Sequence, residues 1–144
     1  MDHPLPENTF TTALAWLVNH RLQEVVHREY DWLFVFDGEA TLVVACLWRF
    51  LEGGHIRRTS EDNEQKFGLR VPVDAASELT RHIANAKIES VQLRKHTLDL
   101  ELYFETGHLL QIIPDSSGYE AWNAFDREKQ YIAIGGGDLA IVSA

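Results

Sequence analysis

A single cysteine, Cys46, stands among the 144 residues, so no disulfide can form within the chain, and a reducing compartment suits it. It lies in the apolar run 42–47, Leu-Val-Val-Ala-Cys-Leu, with no glycine turn or helix start behind it to present the sulfur. A buried, inert thiol is the expectation. Wholly apolar runs stop at six or seven residues, far short of the roughly 20 that span a bilayer. The first residues, Met-Asp-His-Pro-Leu-Pro-Glu, offer neither a basic nor an apolar leader region. A soluble, cytoplasmic protein is expected. Basic residues are also scarce: 13 Lys plus Arg face 22 Asp plus Glu, for a net charge of −9. The deficit is even, with 7 basic and 11 acidic residues in 1–72 and 6 and 11 in 73–144. Nucleic acid and anionic membrane surfaces are therefore excluded as partners, because both need clustered Lys and Arg. A basic protein partner fits, and so does plain dispersal by acidic charge.

Catalytic motifs are missing too. The seven histidines include no His-x-His or His-x-x-x-His pair, and a zinc site needs three or four converging ligands. Gly135-Gly136-Gly137 precedes a strand pattern, 139–142, whereas phosphate loops open a helix. A tight hairpin turn is expected there. Asp115-Ser116-Ser117-Gly118 lacks the setting of a nucleophile elbow. Asp99 and Glu101 share the wet face of one strand. No catalytic residue, metal ligand or cofactor is expected.

What is present reads as one domain over 1–144, behind a loose tail at 1–8 held irregular by Pro4 and Pro6. A short helix is predicted from Thr9 to about Asn19, on the spacing of Phe10, Ala13, Leu14, Leu17 and Val18. Strands follow on either side of Asp37-Gly38, the second running from Ala40 to Trp48. Residues 49–70 suit either another strand pair or an irregular connection; Ser60 to Lys66 reads as loop and Phe67 to Val71 as a return to the sheet. A second helix starts at Asp74 with Ala75, Ala76, Leu79, His82, Ile83 and Ala86 on one face. Three strands then cover 87–94, 98–104 and 109–113, and a hairpin closes the chain. The fold class is α+β, mostly antiparallel sheet.

The two halves, about 9–72 and 73–144, read alike. Asn19 lies over Asn85 at a separation of 66, and Phe36-Asp37-Gly38 has its match in Phe104-Glu105-Thr106-Gly107. The common unit is a helix followed by a three-stranded meander, which indicates internal duplication. Tyr119, Trp122 and Phe125, spaced by three, suit one helical turn or an irregular aromatic segment. With Glu120 they are the candidate partner-binding residues, since large rings beside a loop either close a core edge or anchor a partner.

Through Gly118-Tyr119-Glu120-Ala121-Trp122 and Ile134-Gly135-Gly136-Gly137-Asp138 the chain resembles small uncharacterised bacterial proteins. These carry a Tyr-Glu-(Ser/Ala)-Trp segment and end in a glycine-rich turn with a closing strand. Some of them are immunity-like, encoded beside secreted toxins. The likeness covers mainly residues 83–142, brings no catalytic residue, and implies a non-enzymatic inhibitor of a basic toxin. Two other readings stay open: a self-associating structural module, forming a homodimer, and a small-ligand protein or enzyme with a cleft between the halves.

Overall fold

Alternation of inward and outward side chains organises residues 12–143, the part of the chain that this computed structural model describes. Among these residues eleven strands form two antiparallel sheets. Strands β1 (Leu22–His27), β2 (Trp32–Phe36) and β3 (Thr41–Val44) make a meander, and β4 (Leu47–Glu52) with β5 (His55–Thr59) a hairpin. Helix α1 (Ala75–Ile83) follows. The meander recurs as β6 (Ile88–Leu93), β7 (Leu100–Phe104) and β8 (Leu109–Ile113), before β9 (Trp122–Phe125), β10 (Lys129–Ile134) and β11 (Asp138–Ser143). One sheet has the order β1-β2-β3-β9-β10-β11, the other β5-β4-β8-β7-β6. The chain is an α+β domain built mostly of antiparallel sheet.

Each strand turns alternate residues inward. Strand β2 buries Trp32, Phe34 and Phe36, and β7 buries Leu100, Leu102 and Phe104. These faces meet in one hydrophobic cluster, where Trp48 sets its ring edge-on to Trp32 at 5.0 Å and to Phe34 at 6.1 Å. Helix α1 starts where Asp74 accepts the Ser77 N–H, relieving an orphan donor of the first turn. It lies along β1, and Thr80 Oγ1 accepts the Val25 N–H at 3.0 Å. The helix ends at Ile83, short of the expected Ala86, because Asn85 takes the left-handed conformation at φ 64°.

The halves trace the same path about a pseudo-two-fold axis between Arg21 and Lys87, which form an isolated antiparallel bridge. Asn19 is left-handed like Asn85, with φ 75°. The Asn19 N–H donates to Ile88 O, and the Asn85 N–H donates to Leu22 O. Asp37 takes the Arg21 N–H at 3.0 Å as Glu105 takes that of Lys87 at 2.8 Å. Even the bulges match, at Leu22/Glu24 and Ile88/Ser90. The separation of equivalents grows from 66 to 68 because the loop 94–99 is two residues longer than 28–31.

Several sequence expectations need correction. The apolar stretch from Ala40 to Trp48 is two strands in two sheets, broken at Ala45-Cys46, where the Ala45 N–H turns to Ala121 O. The repeating unit is therefore larger than a helix plus meander. Each half also sends a strand across: β4 pairs with β8, and β9 with β3. Phe67, Leu69 and Val71 do not return to the sheet but lie exposed in a loop, since neither β5 nor β6 pairs with them. Tyr119 to Phe125 is no helical turn, because β9 sits between β3 and β10. For the first helix, the described residues show a 3-10 turn at Ala15–Leu17; the tail 1–8 and the expected start at Thr9 lie outside the described residues. The hairpin expected at Gly135–Gly137 is present between β10 and β11.

Candidate functional site

Strand geometry separates the aromatic residues that the sequence spacing groups. On a strand, residues three apart point to opposite faces. Trp122 is 1% exposed in the core, with its indole N–H donating to Leu98 O at 3.0 Å. Phe125 is half-buried on the outer face of the six-stranded sheet, opposite Thr41. Tyr119 and Glu120 precede the strand and are exposed, Tyr119 at 82%.

These last two residues line a concavity of about 530 Å³. Ala45 and Ala121, at the point where the chain changes sheets, also line it, and so do Asp115 and Ser116. Tyr30, 84% exposed in the β1–β2 loop, flanks it. The sequence pattern does not single out Tyr30; the available signal is a large ring within the charged turn Arg28-Glu29-Tyr30-Asp31. A smaller adjoining hollow of about 210 Å³ adds Asp31, Val43 and Trp122. Among the described residues neither concavity is lined by Lys or Arg, whereas Asp31, Asp115 and Glu120 contribute acid.

Both tyrosine-bearing loops are fastened. Ser116 Oγ accepts the N–H groups of Gly118 at 3.1 Å and Tyr119 at 2.9 Å, and Ser116 O accepts the Gly136 N–H. Gly135 packs so closely on Gly118 that a Cβ there would overlap its backbone. On the other side Arg28 grips Asp31 through two nitrogens at 2.6 and 2.7 Å. That pairing raises the Arg28 pKa and keeps Asp31 in place. Among the described residues the lining holds no His or Cys, and Ser116 Oγ already serves the turn. What remains is a rigid, acidic, apolar-floored seat between two exposed phenol rings. Such a seat suits a cationic or aliphatic side chain: carboxylates attract the charge, and ring faces attract a cation.

A second constellation brings together residues far apart in sequence. Glu52 at the end of β4, His82 in the last turn of α1 and His108 just before β8 place their ligating atoms within 4.8 Å of one another. Glu52 Oε2 lies 2.8 Å from His108 Nε2 and 3.9 Å from His82 Nδ1. The hydrogen bond to His108 holds the Glu52 carboxyl below its ordinary range. One turn earlier on α1, buried Glu78 takes Arg58 Nε at 2.6 Å and Arg57 at 3.3 Å. Scattered histidines are the sequence expectation; the fold brings these two together. Cys46 is buried, and burial pushes its thiol up to about 12, away from nucleophilic character at neutral pH.

Asp99 and Glu101 lie over the five-stranded sheet, lining a shallow hollow of about 440 Å³ with Arg49, Gln92, Arg94 and Gln111. The Glu101 carboxylate accepts from Gln111 at 2.8 Å and from Tyr103 OH at 3.3 Å. Among the described residues no helix is long and apolar enough to cross a membrane.

Comparison with curated proteins and with solved structures finds no match for the chain. A family model does match, over residues 13–143, which takes in both halves and both sites just described. The chain belongs to a family of unknown function, DUF6188.

Proposed function

We propose that the protein is a non-enzymatic, cytoplasmic binding protein that seats a basic segment of a partner protein between Tyr30 and Tyr119, in the manner of an immunity-like inhibitor. The observation that carries this reading is the pairing of two exposed, loop-anchored tyrosines with a lining that, among the described residues, holds acid and no base. Large exposed rings on rigid loops lose little conformational freedom when they are covered, which is why Tyr is favoured at binding hot spots. A net charge of −9 adds attraction at a distance and speeds encounter with a cationic surface.

The test is to coexpress the chain with the products of the adjacent genes, purify a complex with a basic protein, and titrate that protein calorimetrically. The double variant Tyr30→Ala/Tyr119→Ala leaves the core untouched and weakens the complex by about 2 kcal/mol or more, roughly 30-fold. Raising salt weakens the wild-type complex through slower association. A complex that forms equally well with the double variant overturns the proposal.

A further inference from the structure

We infer that Glu52, His82 and His108 form a binding site for one divalent transition cation of zinc type, separate from the tyrosine-flanked concavity. Two imidazoles and one carboxylate are the donor set that borderline cations such as Zn²⁺ accept. With metal–ligand bonds of about 2.0–2.2 Å, tetrahedral ligand atoms lie roughly 3.4 Å apart. The separations of 2.8 and 3.9 Å about Glu52 Oε2 straddle that value, so small side-chain rotations close the set.

The surroundings prepare His108 as a ligand. Its Nδ1 lies 2.7 Å from Thr106 Oγ1, an outer partner able to accept an Nδ1–H once a cation displaces the proton that Nε2 shares with Glu52. Phe50 stacks on its ring at 4.8 Å and 9°, which holds the plane. The neighbouring cations are already engaged: Arg57 and Arg58 are both paired with Glu78. Three protein donors with a half-exposed Glu52 leave a coordination position open to solvent.

The pseudo-symmetry supplies an independent reason. The positions equivalent to His82, His108 and Glu52 in the other half are Trp16, Ala40 and Asp126. There the fold packs Trp16 against Tyr131 at 5.7 Å, and Asp126 spends its carboxylate on the N–H groups of Glu128 and Lys129. That corner keeps one imidazole, His20, edge-on to Trp16 at 6.0 Å and bonded to Asp37. Two imidazoles facing one carboxylate are found at this place in one half alone, which marks a specialisation of that half.

The experiment titrates the full-length, metal-stripped chain with Zn²⁺ alone by calorimetry and records the visible spectrum on adding Co²⁺ alone. One saturable equivalent per chain is expected, with Co²⁺ d–d bands of a site carrying nitrogen and oxygen donors. His82→Ala, on a partly exposed helix position that tolerates substitution, weakens Zn²⁺ binding at least about tenfold, as loss of a direct donor should exceed the effect of an outer-shell change. His108→Ala does the same. His27→Ala and His55→Ala, both at exposed positions, leave it unchanged. Absence of saturable Zn²⁺ binding by the wild-type chain overturns the inference, and so does binding that His82→Ala and His108→Ala leave intact.

Discussion

The two halves share a backbone and differ in what they place upon it. Across the five-stranded sheet Thr59, Arg49, Gln111, Glu101 and Gln92 form an outer row, each beside the next. Their equivalents on the six-stranded sheet are Ile132, Asn123, Val43, Leu33 and Val26. One outer face is polar and the other largely apolar, over the same hydrogen-bond ladder. The corner that holds His82 and His108 in one half holds Trp16 and Ala40 in the other. Inner positions behave differently: Leu17 and Ile83, Leu22 and Ile88, Phe36 and Phe104, and Trp48 and Trp122 are buried as equivalent pairs. Packing density constrains the interior because a missing methylene leaves a void. Outward positions face no such requirement and are free to diverge into sites.

Substitution at equivalent positions breaks or sharpens this comparison. The largest effect is expected at the tryptophans. Trp48→Ala and Trp122→Ala each remove a fully buried ring and should cost about 3–5 kcal/mol in urea unfolding. The pair should part company on replacement by Phe. Trp122→Phe also abandons Leu98 O and should cost about 1 kcal/mol more than Trp48→Phe, whose indole N–H has no partner to lose. Equal costs would show that the Trp122–Leu98 bond contributes nothing net.

A smaller and symmetric effect belongs to the left-handed asparagines. Asn19→Ala and Asn85→Ala put a strained residue at φ 75° and 64°, and each should destabilise the chain by about 1 kcal/mol. Asn→Gly at either place should be neutral or slightly stabilising. Chemical denaturation of the four variants would expose a broken equivalence if one position proved indifferent.

The smallest effect is the acid response. Ser77 holds the Asp74 carboxyl down, the Lys87 N–H does so for Glu105, and the N–H groups of Glu128 and Lys129 do so for Asp126. Groups with depressed folded pKa values contribute stability that is complete above their unfolded values of about 3.9 for Asp and 4.3 for Glu. That stability is lost as pH falls through the lower folded values. Urea midpoints measured downward from neutral pH should therefore fall below about pH 4, and Asp126→Asn should flatten part of the decline. Glu52, the counterpart of Asp126, is held down by the His108 hydrogen bond instead of backbone N–H groups, so Glu52→Gln should likewise flatten part of that decline.

The sequence shows its inner faces plainly, and the reason it hides the sheet exchange lies in the same residues. Ala40, Leu42, Val44, Cys46, Trp48 and Phe50 are all buried. The inward phase passes unbroken through Ala45-Cys46, so period-two patterning reads one long strand where the chain leaves one sheet for the other. Asn19 over Asn85 is legible because a left-handed turn restricts residue type. Tyr119 and Glu120 are legible as a contact candidate, but Trp122 and Phe125 are not separable from them until β9 acquires neighbours on both sides. Glu52, His82 and His108 carry no local signal at all, since successive members stand 30 and 26 positions apart.

Local rules therefore settle which residues face inward, where α1 is capped and which turns need a positive φ, because each of these depends on a few adjacent residues and the geometry of one backbone. Which strand pairs with which, and which distant side chains come within bonding reach, is decided by the exchange of β4 and β9 between sheets. That choice depends on burying two apolar faces against each other, a condition met only by the whole chain at once.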